Sequence, residues 1–329
     1  MRILHLDWSK LLTIYLVILG HVIGMLDPGL LIGGDLVRFI YTFHMPLFVL
    51  LSGYFVNSAY SKPFSSFVSG KAKQLLLPTI SCTIIVCVYL YLFRETANYR
   101  NEVIGNSWFL KVLFIYFVLT YVLKKTRIDD WILFIVSCFF LFLIPHGYSL
   151  QLNLLYPYFW GGLFLRKYDI LGKLTSSINY LVVVIIVFFC LYIYQCKNNI
   201  PIYIPITIET LFNQWNLILF RYLIGFLGCL AVILSVAFFY KQFNDNNWII
   251  NGAKYGQKTL GVYVLQTILV INVFPDVVHM NIRSEFLLNL IVAPIVSLIF
   301  LILCLLLIHV LSKNKMLDLF LFGGQYYNR

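Results

Sequence analysis

Two histidines in apolar surroundings have the chemistry of an acid–base catalyst. His44 stands in Phe43-His44-Met45-Pro46-Leu47-Phe48, with Leu51-Ser52-Gly53-Tyr54-Phe55 following at once. Both stretches lie in an apolar run from about residue 36 to 56, and about 20 such residues cross a bilayer. His21 follows Lys10 with ten residues between them. Eleven steps of about 100° return an α-helix to nearly the same face, about 16 Å further along. Thr13, Val17 and Gly24 share that stripe, which is slimmer than the Leu and Ile elsewhere. An imidazole near its ordinary pKa takes or gives a proton near neutral pH. Ionisable groups at membrane depth are costly and mark functional sites by default. For the pair alone the alternative stays open that Lys10 snorkels to the headgroups and His21 hydrogen-bonds a neighbouring helix. Pro46 is expected to bend its helix. Ser52 and Gly53 suit close helix packing, and no Gly-x-Ser-x-Gly elbow makes Ser52 a nucleophile.

Further cations sit at span ends. Lys71-Ala72-Lys73-Gln74 precedes Leu75-Leu76-Leu77-Pro78, so Lys71 and Lys73 can attract phosphates as point charges or serve as ordinary interfacial lysines. Arg38, Lys111 and Arg221 fall within or at the outer ends of apolar runs. Lys111 either binds an acidic acceptor or snorkels. Arg221 is either a substrate contact or half of an ion pair, with Glu209 a partner to consider. Trp108 suits an interfacial belt.

The elements that must position these groups are membrane helices. The chain is 61% hydrophobic and 11% charged over 329 residues, against about 25% charged in a soluble domain. The fold class expected is an all-α integral membrane protein of about ten spans. They run at about 9–27, 36–56, 73–93, 107–124, 130–145, 151–166, 178–195, 215–240, 258–274 and 286–311, the fifth and sixth being short. One set of alternating loops carries sixteen Lys or Arg and the other four, namely Arg94, Arg100, Lys197 and Arg283. The positive side is cytoplasmic, which puts both termini inside and supports an even number of spans. The net charge of +11 therefore reflects orientation, and no nucleic-acid partner is expected. The seven cysteines contain no Cys-x-x-Cys pair, so neither a metal site nor a disulfide framework is expected. The first run ends in Met25-Leu26-Asp27-Pro28 without a small-residue cleavage site and reads as a retained span. Residues 1–329 read as a single membrane domain without a soluble one. The outer loop at about 196–214, with Ile200-Pro201-Ile202-Tyr203-Ile204-Pro205, has the length to cover an outward-facing cleft.

Phe-His-Met-Pro-Leu-Phe with Ser-Gly-Tyr-Phe resembles the second span of the membrane acyltransferase family 3, most of whose bacterial members O-acetylate surface carbohydrates. Leu6-Asp7-Trp8-Ser9-Lys10 leading to Leu19-Gly20-His21 is similar to its first span, with Lys where Arg is commoner. Lys71 and Gln74 stand where the family often has two arginines. Ser107-Trp108-Phe109-Leu110-Lys111 looks like its Trp-Phe-Leu element. Thr259 to Gln266 resembles its Leu-Gly-Ile-Tyr segment, with Gln266 where many members have His. The likeness covers the whole chain, most specifically residues 6–78, and leans toward the compact sugar O-acetylases of exopolysaccharide and Nod-factor pathways.

The resemblance implies an O-acetyltransferase in a bacterial inner membrane. Acyl-CoA, in the first place acetyl-CoA, is implied as co-substrate, docked by Lys10, Lys71 and Lys73. His21 is implied as general base or acyl relay, with His44 in support, and a carbohydrate acceptor enters near Arg38, Lys111 and Arg221. No permanently bound cofactor is expected, and the oligomeric state stays open. The competing class is a transporter or flippase of lipid-linked sugars, which also buries charged side chains. The sequence offers it neither an internal repeat nor a reason for a cation and a histidine on one helix face.

Overall fold

The computed structural model describes residues 3–94, 99–143, 151–243, 246–278 and 284–327. Among them every regular element is helical. Unbroken apolar sequence satisfies its backbone polar groups within the helix itself, the requirement of a lipid solvent. The principal helices are α1 (Leu4–Leu26), α2 (Asp35–Phe55), α3 (Phe64–Phe93), α4 (Trp108–Lys124), α5 (Asp130–Leu143), α6 (Leu152–Lys167), α7 (Ile178–Lys197), α8 (Trp215–Gln242), α9 (Ile249–Val277), α10 (Glu285–Leu311) and α11 (Lys315–Phe322).

Seven of these are long and apolar enough to cross a bilayer, namely α1, α2, α3, α7, α8, α9 and α10. The fourth, fifth and sixth expected spans are helices of 17, 14 and 16 residues. Residues 144 and 145 of the fifth, and Arg2, Arg283 and Arg329 of the loop-charge count, lie outside the described residues. Helix α7 exposes Val182, Val183, Ile186 and Ile193, and α10 exposes Ile295, Ile299, Ile302 and Leu306. Apolar surface on this scale is tolerated in lipid and shunned in water. The chain is thus a multi-pass membrane protein.

The chain forms two compact units, each drawn from three stretches. The first contains residues 1–13, 38–62 and 119–256. Its centre is the contact of α2 with α6. A Cβ added at Gly53 would collide with the Phe159 carbonyl, and one at Gly162 with the Leu50 carbonyl. These glycines let two backbones meet directly. Phe43, Tyr156, Phe159 and Trp160 are buried around them. Pro46 lies inside α2 and has no N–H for the Thr42 carbonyl; Gly225 of α8 comes close to that carbonyl.

The second unit contains residues 14–37, 63–118 and 257–329. Three π-helical tracts interrupt its helices at Ala72–Leu76, Thr267–Val273 and Leu288–Val292. Such widened turns often accompany functional positions. Arg94 ties α3 to α9 through Asp276, at 3.0 Å from Nε to the carboxylate. Helix α11 is capped by the Asn314 side chain, which accepts from the N–H groups of Met316 and Leu317. It ends at Gly323, whose φ of +70° is the left-handed C-cap conformation. Gly323 also packs on the Lys73 carbonyl, which seats this turn against the π-helical tract within α3.

Candidate functional site

His21 lies in the C-terminal half of α1, half-buried. Among the described residues no hydrogen bond reaches its imidazole. Thr13, Val17 and Gly24 of the same helix are buried, and α1 runs unbroken from Lys10 to His21.

The cationic edge expected at the start of α3 is built into the second unit. The Lys71 ammonium lies 3.8 Å from the centre of the Phe117 ring and donates to Gln74 Oε1 at 3.2 Å. Gln74 in turn donates to Gln325 Oε1 at 3.3 Å. Lys73 is exposed on the π-helical turn. Gln325 and the Gly323 turn escaped the sequence reading. Their signal is the Gly-Gly pair after a short amphipathic helix, which marks a C-cap. The buried Asp318 holds the turn by accepting from the N–H groups of Tyr326 and Tyr327.

Lys111 places its ammonium on the carbonyls of Val103 and Ile104, at 2.5 and 3.1 Å. Those carbonyls lie in the last turn of a short helix, Tyr99–Gly105, where a cation complements the helix dipole. Nearby, Cys82 Sγ faces Asn106 Oδ1 at 3.9 Å, and Asn106 Nδ2 and Ser107 Oγ are buried without partners. Gln266 is fully buried and donates to Thr267 Oγ1.

In the first unit Lys10 pairs with Asp7 at 3.2 Å and lies 4.2 Å from the centre of the Phe55 ring. His44 is buried. Its Nδ1 is 2.9 Å from the Ile40 carbonyl. A carbonyl only accepts, so Nδ1 carries a proton and Nε2 is the basic nitrogen of the neutral ring. The Tyr41 ring lies tilted beside it, with ring centres 4.7 Å apart. Ser52 donates to the Phe48 carbonyl of its own helix.

Arg221, on α8, is only 4% exposed, and its Nε and Nη1 have no hydrogen-bond partner. The Glu209 side chain considered as its partner is exposed and makes no ion pair with it. Arg221 lines a small cavity with Tyr41, Met45, Pro46, Gln151 and Tyr203, so the conspicuous motif of α2 supplies one wall. The loop after α7 supplies another through Tyr203. That loop is anchored where Asn153 donates to the Ile206 carbonyl at 2.6 Å and Ile204 and Ile206 pack on Leu154 and Ile218. A phenol is neutral at physiological pH, so the Tyr203 hydroxyl can donate a hydrogen bond. Tyr41, Gln151 and Tyr203 were not singled out in the sequence. Among the described residues no group of three or more His, Cys, Asp or Glu side chains can hold a metal ion.

The arrangement offers an imidazole without a hydrogen bond among the described residues, a basic edge at the π-helical tract of α3 and an unneutralised guanidinium in the first unit. Residues 3–309 match the family model described as "Acyltransferase domain". Over 147 residues the chain is 37% identical to nodulation protein NolL of Mesorhizobium japonicum, covering 40% of this chain and 39% of that protein. Over 170 residues it is 30% identical to nodulation protein NolL of Sinorhizobium fredii, covering 46% of each. The chain thus spans less than half the length of these curated relatives. No solved structure matches it.

Proposed function

The chain belongs to the membrane acyltransferase family 3, and on that premise we propose that it is a membrane O-acyltransferase moving an acyl group, in the first place acetyl, from cytoplasmic acyl-CoA to a hydroxyl of a carbohydrate. The observation that carries this reading is the family match over residues 3–309, which takes in every residue assigned a role below.

In this reading the chain crosses a bacterial inner membrane about ten times with both termini inside, following the loop charges. It acts as a single membrane domain. Acyl-CoA docks at the cytoplasmic face by Lys10, Lys71 and Lys73, whose ammonium groups attract its phosphates as point charges. The acceptor comes from the outer face, near Arg38, Lys111 and Arg221. Lys111 contributes by holding the short Tyr99–Gly105 helix.

His21 takes the proton of the acceptor hydroxyl as its oxygen attacks the thioester carbonyl carbon. The tetrahedral intermediate collapses with cleavage of the C–S bond. The imidazolium returns its proton to the departing thiolate, leaving an ester and free coenzyme A. His44 supports the reaction with a ring fixed by its bond to the Ile40 carbonyl.

The test is transfer of label from radiolabelled acetyl-CoA by purified protein in nanodiscs to a panel of surface-polysaccharide fragments, wild type beside His21→Ala. Label reaching a carbohydrate with wild type alone supports the reaction and the base. Absence of acetyl-CoA binding by wild type sinks the donor assignment and moves a sugar transporter to first place.

A further inference from the structure

The Arg221 cavity makes a demand that the reaction alone does not explain. A guanidinium carries five N–H groups and a permanent charge. Nε and Nη1 account for three of those N–H groups, and both atoms are buried without a partner. An uncompensated buried cation is among the costliest features a fold can carry, and neutral hydrophobic packing would remove the cost. The groups around the guanidinium do not neutralise it. Tyr41, Tyr203 and Gln151 are neutral at physiological pH, Met45 and Pro46 are apolar, and Tyr158 donates its hydroxyl to the main-chain carbonyl of Arg221 rather than to the side chain. A water molecule would satisfy one or two N–H groups and leave the charge.

Size narrows the occupant. The cavity is small, with room close to that of a single water molecule. It takes the tip of a group, such as one oxygen of an oxyanion, and excludes a sugar ring. Tyr203 lies in the loop that follows α7 and is 41% exposed, while Gln151 is half-buried at the start of α6. The cavity therefore has a surface-facing side through which a larger molecule can insert a charged substituent. On the topology proposed above this side faces out, away from the phosphates of coenzyme A.

We propose that Arg221, with Tyr203 and Gln151 as neutral hydrogen-bonding partners, is an anion subsite that takes a carboxylate oxygen of an acidic carbohydrate acceptor. The proposal rests on the transferase reading for the identity of its ligand. Charge-assisted bonds from a buried guanidinium to a carboxylate are strong and directional. A site built for a charged group rejects the uncharged analogue, because its own buried charge is then left unpaired. The subsite thus selects for an acidic sugar residue in the acceptor, and Tyr41 links it to His44 through their ring contact.

The experiment measures binding of methyl β-D-glucuronide and methyl β-D-glucoside to the full chain in nanodiscs by calorimetry, for wild type, Arg221→Gln, Arg221→Lys and Tyr203→Phe. Wild type is expected to prefer the glucuronide at least about tenfold, a factor worth about 1.4 kcal/mol. Arg221→Gln erases the preference, Arg221→Lys keeps part of it, and Tyr203→Phe, a loop change that removes one hydroxyl, reduces it. Equal affinities in wild type overturn the proposal, as does a preference that survives Arg221→Gln. Should the Arg221 variants fail to fold, undiminished preference in Tyr203→Phe overturns the placement of the carboxylate. Acetyl transfer measured in parallel separates the two claims. Equal transfer to both glycosides overturns the subsite and leaves the transferase standing, whereas Arg221-dependent glucuronide binding without transfer to any acceptor does the reverse.

Discussion

The hydroxyl of Tyr158 donates a 3.1 Å hydrogen bond to the main-chain carbonyl of Arg221, joining α6 to α8 where the guanidinium enters its cavity. Gly225 makes room for this contact. A Cβ there would run into the Tyr158 hydroxyl and lie 3.3 Å from the Thr42 carbonyl. Gly225→Ala is therefore expected to destabilise the protein by about 1–3 kcal/mol, the usual range for overpacking. Tyr158→Phe on the same background should restore part of the loss by removing the obstructing oxygen. Thermal unfolding of the four members of this double-mutant cycle checks it. Strict additivity would show that the two residues do not meet.

The backbone contact of α2 with α6 makes a sharper contrast. Gly53→Ala and Gly162→Ala each push a methyl group into a main-chain carbonyl of the other helix. Neither carbonyl can swing aside as a flexible side chain can. Each should cost about 1–3 kcal/mol or prevent folding. Gly70, in α3, has nothing within 4 Å of an added Cβ. Gly70→Ala should be neutral or stabilising by about 0.4–1 kcal/mol, through a less flexible unfolded chain. Fluorescence-detected size exclusion after graded heating ranks the three; a Gly162 variant as robust as the Gly70 variant contradicts the packing.

His21→Ala should lower acetyl turnover by about 10²–10⁴-fold, the range of general base catalysis, with acetyl-CoA affinity retained. Retention of more than half the wild-type rate at matched protein level removes His21 from the reaction. His44→Asn can keep a donor toward the Ile40 carbonyl and loses the basic nitrogen. A loss of rate larger in His44→Ala than in His44→Asn assigns His44 to positioning, and equal losses assign it to proton transfer.

Lys111→Met leaves carbonyls in the last turn of the Tyr99–Gly105 helix without their cation. Partly exposed interactions of this kind contribute about 0.3–1 kcal/mol, so a small drop in thermal midpoint is expected, together with a raised KM for the acceptor and an unchanged kcat. A lowered kcat with unaltered KM would contradict a role on the acceptor side.

Topology can be read with a membrane-impermeant maleimide on intact cells. Pro201→Cys lies in the loop after α7 and Lys125→Cys in the loop after α4, both at exposed positions. Above the wild-type background, only Pro201→Cys should label until the cells are lysed. Labelling of Lys125→Cys in intact cells reverses the orientation.

Periodicity and composition determined much of this protein by themselves. Apolar runs of bilayer length close their own hydrogen bonds as helices wherever lipid is the solvent, so the all-helical class and the position of each long helix were legible. So were the histidines and Arg221, because ionisable groups stand out against Leu and Ile. The Ser52-Gly53 packing reading was likewise available, since only a residue without a Cβ permits direct backbone contact. The tertiary structure decided what each polar group touches. Lys111 sits on the end of a short helix that carries too few residues for a periodic signal. Arg221 meets Tyr41 and Tyr203, which are 180 and 18 positions away along the chain, and Glu209, its nearer candidate, lies exposed. The shortness of α5 and α6 was legible, whereas the π-helical turn bearing Lys73 had no sequence signal. Pairing between distant segments is set by packing, and a sequence pattern carries the face of each helix but not the identity of the helix that covers it.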